Sequence, residues 1–305
     1  MRKAEFVTVD VFTQERFTGN PLAVFPDARG ISDAAMQKIA AEFGYSEITF
    51  VLPPENPAHH AQVRIFTPVA EVPFAGHPNV GTAYVIGQMA EIFGKSVDDR
   101  LIFEEKAGLV EVLLQRHEGR VTGAAIRAPR ALELGPVIPL ELAAACVSLD
   151  PAQIRTTGHM PCTASVGLAF VMVELADLAA LAAARTDIAL FRQARDGYAT
   201  PENDFPMFLY VRDTADPSKL RARMFAPLDN VAEDPATGSA SGALSALLAR
   251  LDPRRDGVFD MTIEQGVEMG RRSLIHVRVE KQASEPVSVT IAGASAPVMQ
   301  GSILY

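Results

Sequence analysis

The stretch RMFAPLDNVAEDPATGSASGAL, residues 223–244, predicts a strand, an acidic turn and a helix of small residues that begins at Gly238. The apolar pattern after Arg223 favours the strand, and the Asp234-Pro235 pair favours the turn. Strand-to-helix turns that begin with glycine often bind phosphate, but this one lacks the lysine and the second glycine of a nucleotide loop. The helix start is therefore predicted to hold a ligand other than a nucleotide.

The same pattern occurs earlier in the chain, in RIFTPVAEVPFAGHPNVGTA, residues 64–83. Both copies contain Arg-x-Phe-x-Pro, then a turn, then a helix that begins at a glycine. A strand with an early glycine follows each copy, at Gly108 and at Gly266. Three matches in the same order indicate an internal duplication. We expect two similar lobes, each presenting a helix N-terminus to a cleft between them.

Length and composition are those of an ordinary soluble protein. The 305 residues suffice for two domains of about 150 residues each. Hydrophobic residues make up 48% and charged residues 21%, and the net charge of −9 argues against nucleic acid as a partner. Cys146 and Cys162 form neither a disulfide framework nor a zinc motif, which favours a reducing cytoplasm.

No segment has the pattern of a membrane span or a signal peptide. The N-terminal MRKAEFVTVDVF becomes strand-like at once, without a long apolar run or a cleavage site. The apolar stretch 160–173 is shorter than the roughly 20 residues that a membrane span needs. We therefore expect a cytoplasmic protein that does not bind a membrane.

The hydrophobic pattern predicts both helices and strands. Ser32 is a good N-cap for a helix whose apolar face contains Met36, Ile39, Ala40 and Phe43. A second helix is expected from about His77 to Phe93. Further helices are expected near 139–147, 177–195 and 238–250, and a meander of strands is expected between 101 and 126. The other expected strands are 5–12, 21–26, 47–52, 61–67, 167–173, 206–212, 220–225, 258–264, 274–280 and 287–292.

The best candidate for a linker is RAPRALELGPVIPLEL, residues 127–142, because it contains three prolines. The tail PVMQGSILY, residues 297–305, alternates weakly and can form one more strand. The linker predicts a boundary between two domains after residue 128.

The two glycine-led helix starts can bind an anion. A helix N-terminus offers unpaired N–H groups and about half a positive charge, so two converging helix starts can hold a small carboxylate without any lysine. Gly76 and Gly238 allow close approach of the backbone, and Ser239 adds a hydroxyl. The alternative is that both are ordinary packing turns; the duplication favours binding.

Three residues near these motifs can move protons. Glu47 begins an apolar strand, where burial would raise its pKa and suit it to proton transfer near neutral pH. His77 follows Gly76, and Asp234 lies in the second turn. The alternatives are a solvated Glu47, a first-turn His77 and a turn-shaping Asp234. His59 and His60 are expected in an exposed loop without a role.

Taken together, the motifs resemble those of the PhzF family of phenazine-biosynthesis-like isomerases. They are VDVFTQERFTGNPLAVF (9–25), GYSEITFV (44–51) and the two repeated stretches. The resemblance implies the α+β, diaminopimelate-epimerase-like fold, with two pseudo-symmetric lobes, each a sheet wrapped around a central helix. In that fold the C-terminal strand returns to the first lobe, so the resemblance implies a first lobe of residues 1–128 and 296–305 and a second lobe of residues 129–295. Diaminopimelate epimerase itself uses two cysteines, and the corresponding positions here are Ala75 and Thr237. A two-thiol racemase is therefore disfavoured.

The resemblance also implies roles for individual residues. Glu47 would carry the proton, Asp234 and His77 would take part in catalysis around it, and Ser239 and Asn20 would bind the substrate. Gly76 and Gly238 would donate backbone hydrogen bonds. The archetypal reaction isomerises trans-2,3-dihydro-3-hydroxyanthranilate: a proton leaves C3 and returns at C1, and the resulting enol becomes a ketone.

The resemblance implies no metal, nicotinamide or pyridoxal cofactor, a small carboxylate substrate and a homodimer. Two alternatives stay open. One is an isomerase or epimerase of a different small acid, in which the same glutamate would serve. The other is a binding protein that keeps the fold without chemistry, although such a protein would not need Glu47, His77, Asp234 and Ser239 together.

Overall fold

The protein was analysed as a computed structural model that describes residues 2–198 and 204–305. Its contacts divide the chain into two compact units. Unit 1 contains Met1–Arg127 and Ala292–Tyr305, and unit 2 contains Ala128–Ile291. Both units combine strands with helices, as the predicted α+β class requires.

Unit 1 contains ten strands and two helices within its first segment. They are β1 Lys3–Val11, β2 Asn20–Phe25, α1 Asp33–Phe43, β3 Ile48–Leu52, β4 Ala61–Phe66, β5 Glu71–Val72, α2 Gly76–Gly87, β6 Glu91–Ile92, β7 Lys95–Ser96, β8 Arg100–Glu105, β9 Gly108–His117 and β10 Arg120–Arg127.

Helix α2 is the central helix of unit 1. It packs against β1, β2, β3, β9 and β10, and every residue of Gly76–Gly87 is buried. The pairs β2–β3 and β4–β8 are parallel, and the chain crosses between their strands through α1 and α2, respectively. Most residues of this buried helix are small or apolar, and the small ones let the surrounding strands approach closely.

The described residues of unit 2 form four α-helices and the remaining strands. They are β11 Glu133–Val137, α3 Leu140–Cys146, β12 Cys162–Ser165, β13 Ala169–Glu174, α4 Leu178–Ala183, α5 Ile188–Tyr198, β14 Met207–Arg212, β15 Lys219–Ala226, β16 Val231–Asp234, α6 Gly238–Leu251, β17 Gly257–Gln265, β18 Ser273–Gln282 and β19 Glu285–Leu304. The last residues of β19 belong to unit 1, where they pair antiparallel with β1.

Helix α6 occupies in unit 2 the place that α2 has in unit 1. It packs against β12, β13, β17 and β18, and its sequence GSASGALSALLARL is buried almost throughout. Gly242 lies so close to Ile291 that an added Cβ would meet its side chain at 3.0 Å. Each unit thus surrounds one small-residue helix with strands.

The duplicated arginines make the same contacts in both units. Arg64 donates two hydrogen bonds to the carboxylate of Glu71, and Arg223 donates two to the carboxylate of Glu233. In each unit the arginine and the glutamate lie on paired antiparallel strands, β4–β5 and β15–β16. The internal repeat therefore includes the side-chain contacts as well as the order of elements.

Several local predictions hold. The Ser32 hydroxyl accepts a hydrogen bond from the Ala35 N–H at the start of α1, and Met36, Ile39 and Ala40 are buried as expected. The tail 297–305 contributes to β19. No helix within the two described ranges is long and apolar enough to cross a membrane.

Three local features differ from what the sequence pattern indicates. Helix α2 ends at Gly87 instead of continuing to Phe93, because a β6–β7 hairpin follows, and its turn needs positive φ at Phe93 and Gly94. The predicted linker 127–142 contains β11 and the start of α3. Strand β11 is irregular, because a proline lies where its pairing register with β12 shifts, between Leu134 and Val137. Strand β12 was not expected at all.

Candidate active site

Glu47 lies between the C-terminus of α1 and the start of β3. Gly44 ends α1 in the left-handed conformation, with φ of 64°, and the chain then turns into the strand. The Glu47 side chain keeps 21% of its surface exposed. Burial raises the pKa of its carboxyl to about 7, against a smaller lowering by a hydrogen bond from Ser46. A carboxyl with this pKa is present in both protonation states near neutral pH.

His77 is an ionisable side chain that lies close to Glu47. It lies in the first turn of α2, it is buried, and its Nε2 is 3.7 Å from Glu47 Oε2. The other ring nitrogen, Nδ1, is 3.4 Å from Nδ2 of Asn20. The Asn20 NH₂ group can only donate, so Nδ1 accepts and Nε2 carries the proton that points towards Glu47.

Asn20 connects this histidine to the segment that carries Glu47. It is fully buried at the start of β2, and its Oδ1 accepts a hydrogen bond of 3.2 Å from the Ser46 hydroxyl. Ser46 in turn contacts Glu47. Four side chains from β2, α2 and the loop before β3 therefore form one connected polar group in unit 1.

The start of α2 adds backbone donors to this group. Ala75 is the N-cap residue, and it has no side chain that could satisfy the first-turn N–H groups. Gly76 is buried and precedes His77 directly. The arrangement is that of a helix start that can accept a carboxylate.

Unit 2 contains the equivalent helix start. Asp234 is buried at the end of β16, and its Oδ2 accepts a hydrogen bond of 2.6 Å from the Thr237 hydroxyl. Thr237 is the N-cap residue of α6, but its side chain does not cap the helix. Gly238 is buried, and Ser239 is half-buried in the first turn.

Gln265 holds this second helix start in place. Its Oε1 accepts a hydrogen bond of 3.0 Å from the backbone N–H of Thr237. Its Nε2 donates to the carbonyl of Asp234 at 2.8 Å and to the hydroxyl of Thr237 at 3.0 Å. Gln265 was not predicted from the sequence, because it is 28 residues from Thr237 and has no local motif.

The structure therefore gathers the predicted residues into two groups. Glu47, His77, Asn20 and Gly76 belong to unit 1, and Asp234, Gly238 and Ser239 surround the start of α6 in unit 2. Ser46 and Gln265 were missed. Ser46 stands next to Glu47 within GYSEITFV, so its position was the available signal.

The other candidate residues lie elsewhere. Cys146 is fully buried and Cys162 half-buried, and burial raises the pKa of both thiols. The expectation of an exposed loop is wrong for His60, which is buried and accepts a hydrogen bond from the Ile102 N–H. His59 is half-buried beside Glu104, with 2.7 Å between Nδ1 and Oε1. Across residues 2–198 and 204–305, no three His, Cys, Asp or Glu side chains are grouped as metal ligands.

Comparison with known proteins gives matches over nearly the whole chain. The family described as "Phenazine biosynthesis-like protein" matches residues 9–301. The chain is 35% identical to the trans-2,3-dihydro-3-hydroxyanthranilate isomerase of Pseudomonas aeruginosa, over 97% of this chain and 98% of that protein. It is 36% identical to an uncharacterized isomerase of Mesorhizobium japonicum, over 99% of both.

The fold matches as well. The crystal structure of a PhzF-family phenazine biosynthesis protein from Bacillus anthracis superposes with a TM-score of 0.87, covers 100% of both chains and is 24% identical. This likeness confirms the predicted fold class.

Proposed function

The chain belongs to the family of phenazine biosynthesis-like proteins and is an isomerase, and from this premise we propose that it moves one proton within a small carboxylate substrate, with Glu47 as both base and acid. The proposed archetype is the isomerisation of trans-2,3-dihydro-3-hydroxyanthranilate, the reaction named for the Pseudomonas aeruginosa relative. No cofactor takes part in the proposed reaction.

One observation carries this proposal: burial brings the pKa of Glu47 to about 7. A general base is most effective when its pKa is near the working pH, because it is then ionised and yet basic enough to take a proton. The conjugate acid of the same group can return the proton to another carbon. Glu47 satisfies both requirements with a single side chain.

The proposed steps conserve the proton and the electron pairs. The Glu47 carboxylate takes the proton from C3, and the electrons of the C–H bond pass into the conjugated system. Protonated Glu47 returns the proton to C1, and the enol product becomes a ketone. The Nε2–H of His77 lies 3.7 Å from the Glu47 carboxyl, and it would form a hydrogen bond to this group if the contact tightens in the substrate complex.

The proposal assigns the remaining predicted residues to binding. The first-turn N–H groups at Gly76 and at Gly238, each at its own helix start, can bind a carboxylate in the role that a lysine or arginine often has. Asp234 and Ser239 would bind the polar groups of the substrate, and Asn20 would hold His77 in the tautomer described above. Homodimerisation remains a prediction from the resemblance, and cytoplasmic localisation remains a prediction from the sequence composition.

The test is proton NMR in D₂O with trans-2,3-dihydro-3-hydroxyanthranilate. We expect the wild type to convert it, and Glu47→Gln to lose roughly 10²–10⁴-fold in rate, the usual contribution of a general base. Glu42→Gln, at an exposed position of α1, is the matched control and should keep full activity.

Each outcome separates one part of the proposal. Conversion by the Glu47 variant at the wild-type rate would remove Glu47 as the proton carrier. If the wild type does not convert this compound, the substrate assignment is contradicted. Other small carboxylic acids would then be tested, with the exchange of their C–H protons for solvent deuterium as the readout.

A further inference from the structure

Each unit contains a pair of parallel strands, and the two pairs occupy the same place in the repeat. In unit 1, β4 and β8 are parallel, and Gln62 pairs with Glu104. In unit 2, β15 and β17 are parallel, and Arg221 pairs with Glu264. Gln62 and Arg221 each stand two residues before the repeated arginine, Arg64 or Arg223.

This register makes Glu105 the structural counterpart of Gln265. Each is the last residue of its strand, and each directly follows the paired glutamate. Gln265 binds the start of α6 through both ends of its carboxamide. The counterpart in unit 1 has a carboxyl group at the position of that carboxamide.

Glu105 lies beside the start of α2. The amide of Asn79, in the first turn of α2, contacts its carboxyl, and Ala107 N–H donates to the carbonyl of Pro73, just before the helix. Asn79 is fully buried, and its Nδ2 donates to the carbonyl of Ala75, the N-cap residue, at 3.0 Å. Asn79 thus connects Glu105 to the N-cap.

Three polar atoms at this contact are buried without a hydrogen-bond partner in the described structure: Oε1 and Oε2 of Glu105 and Oδ1 of Asn79. Such groups are costly unless they are paired. An ionised carboxylate accepts only, and it cannot satisfy an amide oxygen. A neutral carboxyl has one O–H donor and can do so.

We propose that Glu105 works in its neutral, protonated form as a positioning residue that clamps the start of α2. Its O–H donates to Asn79 Oδ1, and its carbonyl oxygen accepts the Nδ2 hydrogen that Asn79 does not use for Ala75. This acid–amide pair satisfies all three atoms. It reproduces in unit 1 the contact that Gln265 makes with a permanent carboxamide in unit 2.

The surroundings favour the neutral form. Burial raises the pKa of Glu105 to about 8, and the Asn79 contact lowers it by less. An adjacent cavity of about 560 Å³ is lined by the charged groups Asp33, Glu55, Arg64, Glu71, Glu104 and Lys106. Arg64 is paired with Asp33 and Glu71, and Lys106 with Glu71. Helix α2 itself contributes the ionisable side chains of His77 and Tyr84.

The clamp matters for function because the same helix turn carries Gly76 and His77. This link rests on the proposed function, but the clamp itself can be tested without it. When Glu105 loses its proton, a buried negative charge replaces the donor to Asn79. The start of α2 is then held less firmly, and the position of His77 relative to Glu47 is less well defined.

The first measurement is urea unfolding between pH 5 and 9 in a Glu47→Gln background, which removes the titration of Glu47. Because the folded pKa of Glu105 lies above its unfolded value, its stabilisation is complete below the unfolded pKa and is lost as the pH rises towards 8. One such proton raises the unfolding constant by up to about tenfold per pH unit. Glu105→Gln should remove this slope, because a glutamine keeps the clamp at every pH.

The matched control is Glu104→Gln in the same background. Glu104 is the neighbouring carboxyl, but its pKa is lowered by hydrogen bonds from the Asn56 and Glu55 N–H groups and from His59, despite an opposing desolvation. Its titration ends on the acid side of this range, so the slope between pH 5 and 8 should persist. A slope that survives Glu105→Gln unchanged would overturn the proposal.

Two further variants give independent readouts. Gln265→Glu places a carboxyl at the position of the permanent carboxamide, and should add a pH slope of the same sign. With Glu47 intact, Glu105→Leu should lower kcat, and Glu105→Gln should restore it and extend activity to higher pH. If neither the wild type nor any variant converts the substrate but Glu105→Gln removes the pH slope of stability, the clamp is supported and the proposed function is contradicted. If the enzyme converts the substrate but the slope does not depend on Glu105, the function is supported and the clamp is contradicted.

Discussion

At the scale of single residues, the environment of Glu47 sets the expected pH dependence of the reaction. Burial brings its pKa to about 7, and only the ionised form can take a proton from the substrate. We expect kcat/KM to rise about tenfold per pH unit below 7 and then to level off until the pH at which Glu105 loses its proton. A pH–rate profile with its lower inflection near 4.5, the ordinary value for a glutamate, would contradict this assignment.

Asn20→Asp tests the tautomer of His77 with a side chain of the same shape. Asn20 donates to His77 Nδ1, which leaves the proton on Nε2, next to Glu47. An aspartate accepts from Nδ1–H instead and favours the other tautomer. We expect a loss of activity of roughly 10²-fold, the low end for a misplaced acid–base group, and ¹⁵N NMR of His77 reports the tautomer directly. An active variant with the proton on Nδ1 would show that the tautomer has no role.

The burial of Glu47 was predictable from the sequence because its signal is local. Glu47 could be singled out because an apolar strand follows it directly, and burial there does raise its pKa. Gln265 and Glu105 could not, since each acts on a helix start far away in sequence, through a strand register that only the folded sheet defines. A strand-end Gln or Glu has no sequence pattern that distinguishes it from a solvated one.

At the scale of elements, small residues allow strands to pack closely against α2 and α6. An added Cβ at Gly81 of α2 would meet Leu22 at 2.5 Å and Val11 at 2.7 Å. We expect Gly81→Ala to destabilise the protein by about 1–3 kcal/mol, the range for overpacking a core. Urea unfolding measures this loss.

Gly197→Ala is the matched control in another helix. Gly197 lies in α5, is exposed, and has nothing within 4 Å of the added Cβ. Alanine is the better helix former by about 0.5–1 kcal/mol in a helix interior, so this variant should be neutral or more stable. Equal destabilisation by both substitutions would show that close packing is not the reason for Gly81.

Element boundaries show where sequence patterns stop being informative. The Ser32 cap and the apolar face of α1 depend on neighbours within one turn, so both were predictable. The end of α2 was not, because the positive-φ turn at Phe93 and Gly94 forms a hairpin instead of another helical turn. The prolines of segment 127–142 suggested a linker, yet an irregular strand accommodates one of them.

At the scale of the whole molecule, the duplication has preserved an arginine–glutamate pair in each unit while their surroundings diverged. Arg223 is 5% exposed. Besides Glu233, it donates hydrogen bonds to the backbone carbonyls of Leu181, in α4, and Ala184, the residue after α4. Arg64 is more exposed and has Asp33 as a second acid, 2.6 Å away. The same contact should therefore differ in its contribution to stability.

Glu233→Gln and Glu71→Gln compare the two pairs directly. Without Glu233, the buried charge of Arg223 loses its carboxylate, and a buried charge without its partner typically destabilises by about 3–5 kcal/mol. Without Glu71, Arg64 keeps Asp33 and partial access to water, so a loss nearer to about 1 kcal/mol is expected. Urea unfolding at pH 7 measures both values. Equal losses would mean that the repeat has conserved the energetics of the pair together with its geometry, and that burial does not decide its contribution.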